Sequence, residues 1–196
     1  MAATIKDAQC AFQKAKRDTS LDIKFDLIRM TIEKNLDLTF KNHSYYDALL
    51  LSMAMINHAQ KSFYMFISDG VEDFICQMES EFRTMLERFK KNNGIAKILI
   101  LSTEKASFKL FDDIACDFKS VFSYHVVPIA RENVKDYRHF TIADGKMYRI
   151  EEPHEIINED SSADSIRAEV SFDNEYVVTY LEEVFDNYWK VVEKPA

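Results

Sequence analysis

Between residues 61 and 130 the chain alternates short apolar runs with amphipathic stretches, and this alternation constrains the fold more than any other feature. "KSFYMFIS" (61–68), "AKILIL" (96–101) and "YHVVPIA" (124–130) read as strands. Between the first two, Val71, Phe74, Ile75, Met78, Phe82, Met85, Leu86 and Phe89 share one helical stripe, with Glu, Arg and Lys opposite. Asn92-Asn93-Gly94 then supplies a left-handed helix stop. A second helix carries Phe108, Phe111, Ile114, Ala115, Phe118 and Phe122 on its apolar side. Strand, helix, strand, helix, strand predicts right-handed βαβ crossovers and a parallel sheet flanked by helices. "AKILIL" has no polar face after its lysine, as in a strand covered on both sides, and Pro128 places the third strand near an edge or at a strand end.

The flanking segments extend this frame. Leu21, Phe25, Ile28, Ile32 and Leu36 recur at helical spacing, predicting a helix over 21–36. Ser44 and Asp47 form a capping box before "SYYDALLLSMAMINHAQ", whose apolar character all round predicts a buried helix. After residue 130 the pattern changes. "RHFTIA" and "KMYRIE" flank Asp144-Gly145, the signature of a two-residue hairpin. An acidic, Ser-rich stretch (152–165) reads as an exposed loop, "IRAEVSF" (166–172) as a strand, and Asp173 as the cap of a final helix. That helix presents Val177, Val178, Leu181, Val184, Phe185 and Trp189 on one side. The predicted class is therefore α/β: a mixed sheet flanked by helices, βαβ units followed by an antiparallel hairpin and a C-terminal helix. Residues 1–60 are expected to form a helical segment packed on an α/β domain spanning 61–196, the two making one structural unit.

Charge and cysteine usage narrow the function classes. The formal net charge is −8, and phosphate contacts from Lys and Arg dominate nucleic-acid affinity, so the balance disfavours nucleic acid as a partner without forbidding it. Cys10, Cys76 and Cys116 are widely spaced, with no CxxC pair and no zinc-ligand spacing, so reduced, mostly buried thiols, a cytoplasmic location and no metal or cofactor are expected. No apolar run approaches the 18 residues of a membrane span, and "MAATIKDAQCAFQKAKRD" lacks the apolar core of a secretory signal. Gly-rich phosphate loops, Gly-x-Ser-x-Gly elbows and HExxH helices are missing from the sequence.

The element order, "DYRHFTIADGKMYRIE" and the terminal "EEVFDNYW" together resemble the phospholipase D-like fold. Active members carry an HxKxxxxDGK-type segment at a strand end, in which histidine is the nucleophile and lysine holds phosphate oxygens. Aligned on Asp144-Gly145-Lys146, the resemblance places the histidine position on Tyr137, the lysine position on His139 and the aspartate position on Asp144. The family's later Gly-Ser-x-Asn segment has its nearest counterpart in Ala168-Glu169-Val170-Ser171. Active members also need two such motifs, from duplication or from a homodimer. This chain has one, so the resemblance implies a homodimer.

The departures weigh against inherited catalysis. Phosphoryl transfer by histidine requires an imidazole at the attacking position and cations on the non-bridging oxygens. A phenol, protonated at neutral pH, is a poor replacement. Taking His139 as the nucleophile leaves Thr141, not lysine, two residues beyond. Alternation puts Tyr137, His139 and Thr141 on one strand face, with Arg149 and Glu151 across the turn. These residues form either a pocket for phosphate or another anion, or a plain hairpin face that meets solvent or pairs Arg149 with Glu151 internally. The expected function is a catalytically inactive phospholipase D-like module for binding, regulation or oligomerisation, with a protein partner as one outlet. The alternative is a metal-independent phosphodiesterase or nuclease rearranged around His139, with Asp144 in support.

Overall fold

Three parallel strands are separated from one another by helix, and an antiparallel hairpin later in the chain pairs beside the first of them. The computed structural model describes residues 19–36, 38–42, 45–104, 107–152 and 167–193. In chain order the elements are α1 (Thr19–Glu33), β1 (Thr39–Asn42), α2 (Tyr45–His58), β2 (Ser62–Ser68), α3 (Val71–Cys76), α4 (Glu79–Asn92), β3 (Ile95–Ser102) and α5 (Lys109–Phe118). They continue with β4 (Phe122–Pro128), a 3-10 turn (Arg131–Asp136), β5 (Phe140–Ala143), β6 (Met147–Glu151), β7 (Ala168–Ser171) and α6 (Glu175–Glu193). One seven-stranded sheet has the order β1-β7-β6-β5-β2-β3-β4, parallel from β2 to β4 and antiparallel elsewhere.

Strand alternation divides the core into two layers. On one face Phe63, Met65, Ile98, Ile100, Ala143, Met147 and Val170 pack with the apolar sides of α2, α3, α4 and α5. On the other, Phe66, Leu99, Leu101, Phe140, Ile142 and Tyr148 meet Val178, Leu181, Phe185 and Trp189 of α6. β3 is buried on both sides, as its apolar run predicts. β4 lies at the sheet edge, with Pro128 as its last residue.

Several boundaries differ from the sequence reading. The long amphipathic stripe is two helices, α3 and α4, interrupted at Gln77-Met78; Met78 leaves helical geometry yet stays fully buried, so the stripe continues through the break. Asn93 supplies the left-handed stop with φ 55°. Gly94 is required for a different reason, since a Cβ there would lie 2.7 Å from the Lys61 carbonyl oxygen and 2.9 Å from the Phe89 ring. α1 ends at Glu33, three residues before Leu36, and left-handed Asn35 follows it. Phe122 opens β4 instead of closing the preceding helix. Ala143 pairs with Met147, so the hairpin turn has three residues, Asp144 to Lys146, with φ 53° and 68° at its first two positions. The final helix is capped by Asn174, whose Oδ1 accepts from Val177 N at 3.1 Å, and Asp173 lies outside it. β1, four residues pairing with β7, has no counterpart in the sequence reading. The Ser44 cap and the 153–165 part of the acidic stretch lie outside the described residues.

Candidate functional site

The carboxyl ends of β2, β3 and β4 share one end of the sheet with the start of β5, the end of β6 and the start of β7, because Phe66 pairs with Phe140, Phe140 with Ile150, and Glu151 with Ala168. In open α/β sheets this is the end at which ligands bind. His139, just before β5, accepts at its carbonyl from Glu151 N at 2.8 Å, extending the ladder by one pair and placing the two side chains together. His139 Nδ1 lies 3.1 Å from Glu151 Oε2, and Glu151 Oε1 takes an ion pair from Arg149 Nη1. Thr141 is the register partner of Arg149 on the same face.

This group is buried. His139 is 2% exposed, Thr141 3%, Arg149 2% and Glu151 5%, beneath the helical layer that includes Phe74, whose ring centre is 5.9 Å from the Arg149 guanidinium. The expected alternative of a polar hairpin face open to solvent is thereby corrected; the Arg149–Glu151 pairing is present. Burying an ion pair costs desolvation that the mutual attraction repays only when geometry is good, so such a cluster specifies an arrangement more than it stabilises one. Arg149 Nε and Nη2 have no hydrogen-bond partner among the described residues. They are donors facing the interior.

The remaining expected residues go elsewhere. Tyr137 precedes β5 in a bend, outside the strand's alternation, and its ring packs 6.3 Å from Phe66 on the α6 side of the sheet. It therefore does not share a face with His139, and the expectation that it would is corrected. Asp144 sits at the opposite end of the hairpin. Its carboxylate accepts from Gln60 N (2.7 Å), Lys61 N (2.8 Å) and Ser62 N (2.9 Å), tying the turn to the entry of β2. Ala168–Ser171, the counterpart of the Gly-Ser-x-Asn segment, is strand β7, with Ser171 fully buried opposite Tyr148. His58 contacts Ala54 O within its own helix, and His125 packs 4.5 Å from the Trp189 ring, both local structural positions. Cys76 and Cys116 are free and exposed, which corrects the expectation of buried thiols, and Cys10 lies outside the described residues; the described residues hold no cluster of metal-ligating side chains. No described helix is long and apolar enough to cross a membrane.

A cleft of about 380 Å³ opens at the same end of the sheet, lined by Lys41, Arg138, Arg167, Glu151, Glu152 and Glu169 among others. The sequence reading missed its three cations. Lys41 lies on the unpredicted β1; Arg138 sits two residues before β5 and Arg167 one before β7, where isolated charges carry no pattern. The only signal was that Arg138 alternates with His139 and so faces the other side of the sheet.

No family model matches the sequence, and no curated protein matches it. Solved structures do share its fold. TrmBL2, an archaeal chromatin protein described as showing a novel mode of DNA binding, superposes with a TM-score of 0.51 at 17% identity, over 90% of this chain and 63% of its own. The present chain thus spans less than two thirds of TrmBL2. Nuc from Salmonella typhimurium, a phospholipase D family member, gives 0.51 at 12% identity over 78% of this chain and 93% of its own. NucT from Helicobacter pylori gives 0.50 at 10% identity, over 79% and 95%. Identities this low speak to architecture and not to activity. The strand order, the two-layer core and these superpositions agree: the chain has the phospholipase D-like fold.

Proposed function

We propose that this protein is a non-catalytic phospholipase D-like module that binds a ligand or partner at the carboxyl end of its sheet. The observation that carries the reading is the separation of the site's parts. Tyr137, at the position the resemblance assigns to the nucleophile, packs on the α6 side, whereas His139, Arg149 and Glu151 lie buried on the other. An attacking imidazole needs access and free cations for the phosphoryl oxygens. Here the histidine is 2% exposed, and the adjacent guanidinium already neutralises a carboxylate. Lys41, Arg138 and Arg167, which line the cleft at this end of the sheet, support an anion as ligand. A homodimer, in keeping with the single motif, and a protein partner belong to the same reading.

One observation favours a second reading. His139 is held at Nδ1 by Glu151, the arrangement that orients a catalytic histidine, so a rearranged phosphodiesterase would use His139 as nucleophile and Arg149 to stabilise charge. A single assay separates the two. Bis(4-nitrophenyl) phosphate and single-stranded DNA are incubated in chelator with the wild type and with His139→Ala. Equal, blank-level rates support the binding module; turnover lost in His139→Ala replaces it with the phosphodiesterase.

A further inference from the structure

The cleft at the sheet end has an order that follows from the strand register. Lys41, Glu169 and Ile150 are cross-strand partners on β1, β7 and β6, and Ile150 pairs with Phe140 on β5. One residue pair further out, Glu152 N donates to Arg167 O at 2.9 Å, and Arg138 occupies the matching place before β5. By alternation Lys41, Glu169, Arg167, Glu152 and Arg138 all belong to the sheet face opposite that of His139 and Arg149. α6 packs over β5 and β6 on that face, and Lys41, Arg138, Arg167 and Glu169 are exposed beside it. The buried histidine group thus belongs to one face and this open row of charges to the other, with Glu151 of the first group reaching the cleft at the sheet end.

The charges in the cleft are unequal in their commitments. Glu151 is held by Arg149 and His139, and Glu169 accepts from the Tyr148 hydroxyl at 2.6 Å. Lys41, Arg138 and Arg167 take part in no ion pair or side-chain hydrogen bond among the described residues, and Glu152 is the one lining carboxylate there without a side-chain partner. Among the described residues, three uncommitted cations against one uncommitted carboxylate make a local positive field in a chain of net charge −8. Two arginines present planar forks suited to bidentate oxyanions, and a cleft of about 380 Å³ matches a small molecule better than a polymer. Among the described residues the lining holds no aromatic ring on which a base would stack.

We propose that the cleft formed by Lys41, Arg138 and Arg167 binds a small multivalent anion, a phosphate monoester or a polycarboxylate, with Glu152 accepting from a hydroxyl of the ligand. This deepens the binding-module reading and rests on it, and it assigns the ligand to the open cleft and not to the buried His139. Isothermal titration of the full chain with pyrophosphate, citrate and acetate tests it. Saturable binding of pyrophosphate or citrate but not acetate is expected, weakened at least tenfold in Arg138→Gln and in Arg167→Gln and unchanged in Lys119→Gln, a distant surface control. Preference for pyrophosphate assigns the ligand to phosphorylated molecules and preference for citrate to polycarboxylates. No saturable binding, or binding equal in the wild type and both arginine variants, overturns the site. Native Trp189 emission in each variant verifies that it is folded. The two ideas fail separately: His139-dependent phosphodiester turnover removes the non-catalytic reading, whereas missing anion binding removes this site alone.

Discussion

Glu151 is the residue on which the buried group depends, since it is the counter-charge of Arg149 and the partner of His139. Removing one member of a buried pair leaves a charge without compensation, at a cost of about 3–5 kcal/mol, whereas replacing both by apolar groups is close to neutral. Glu151→Gln should therefore lower stability by about that amount, and adding Arg149→Met should restore much of it; a double-mutant cycle by urea denaturation reads the coupling. Independent, additive losses would mean that the two side chains do not stabilise each other. Asp144 poses a different case, because its carboxylate collects three backbone amides while its own backbone is left-handed. Asp144→Ala should cost about 2 kcal/mol, from lost charge-assisted hydrogen bonds. Asp144→Asn, which keeps one acceptor oxygen and tolerates positive φ, should cost clearly less in the same denaturation assay. The turn role of Asp144 was legible in the sequence because Asp-Gly chemistry is local. The burial of His139 was not, because it depends on which helices lie over the hairpin.

At the level of elements, α6 is the helix that closes the second face, and its packing is carried by few side chains. Phe185 stacks on Tyr64 and Trp189, and Trp189 lies under the Lys97 ammonium. Phe185→Ala should cost about 3–5 kcal/mol, read through the emission of Trp189, the chain's single tryptophan. The same helix carries a pH-dependent term. Burial, and then the charge of Asp186, push the Glu182 carboxyl above its ordinary value of 4.5. The folded state thus holds this proton more tightly than the unfolded chain does. Its favourable contribution is complete below pH 4.5 and is lost as pH rises through the raised value. Glu182→Gln should accordingly raise the thermal midpoint at pH 7 and leave it unchanged near pH 4; an equal shift at both would exclude the linkage. The apolar stripe of α6 was legible in the sequence. Its cap was misassigned by one residue because Asp173 and Asn174 are chemically near-equivalent, and only the chain direction after β7 chooses between them.

For the whole molecule, charge and assembly are the testable quantities. TrmBL2 has the same architecture and binds DNA, yet the present chain carries a net charge of −8, and its basic cleft is small. Duplex DNA should show no saturable binding by fluorescence anisotropy at micromolar protein and 150 mM salt, since nonspecific affinity requires many phosphate contacts. Sedimentation at micromolar concentration should give a dimer, and a monodisperse monomer would remove that part of the proposal. The parallel strands, their helices and the hairpin could be derived from periodicity and turn chemistry alone, because 3.6-residue and two-residue spacings and left-handed turns are properties of a few neighbouring residues. The four-residue strand β1 could not, since it exists only through pairing with β7, about 130 residues later in the chain. What brings His139, Arg149 and Glu151 together in the interior, sends Tyr137 to the other side, and gathers Lys41, Arg138 and Arg167 at one sheet end is strand order and register. Those are set by contacts between distant segments, and burial and electrostatic environment follow from them. The sequence determined which elements form; the tertiary structure decided which charges face each other and which face water.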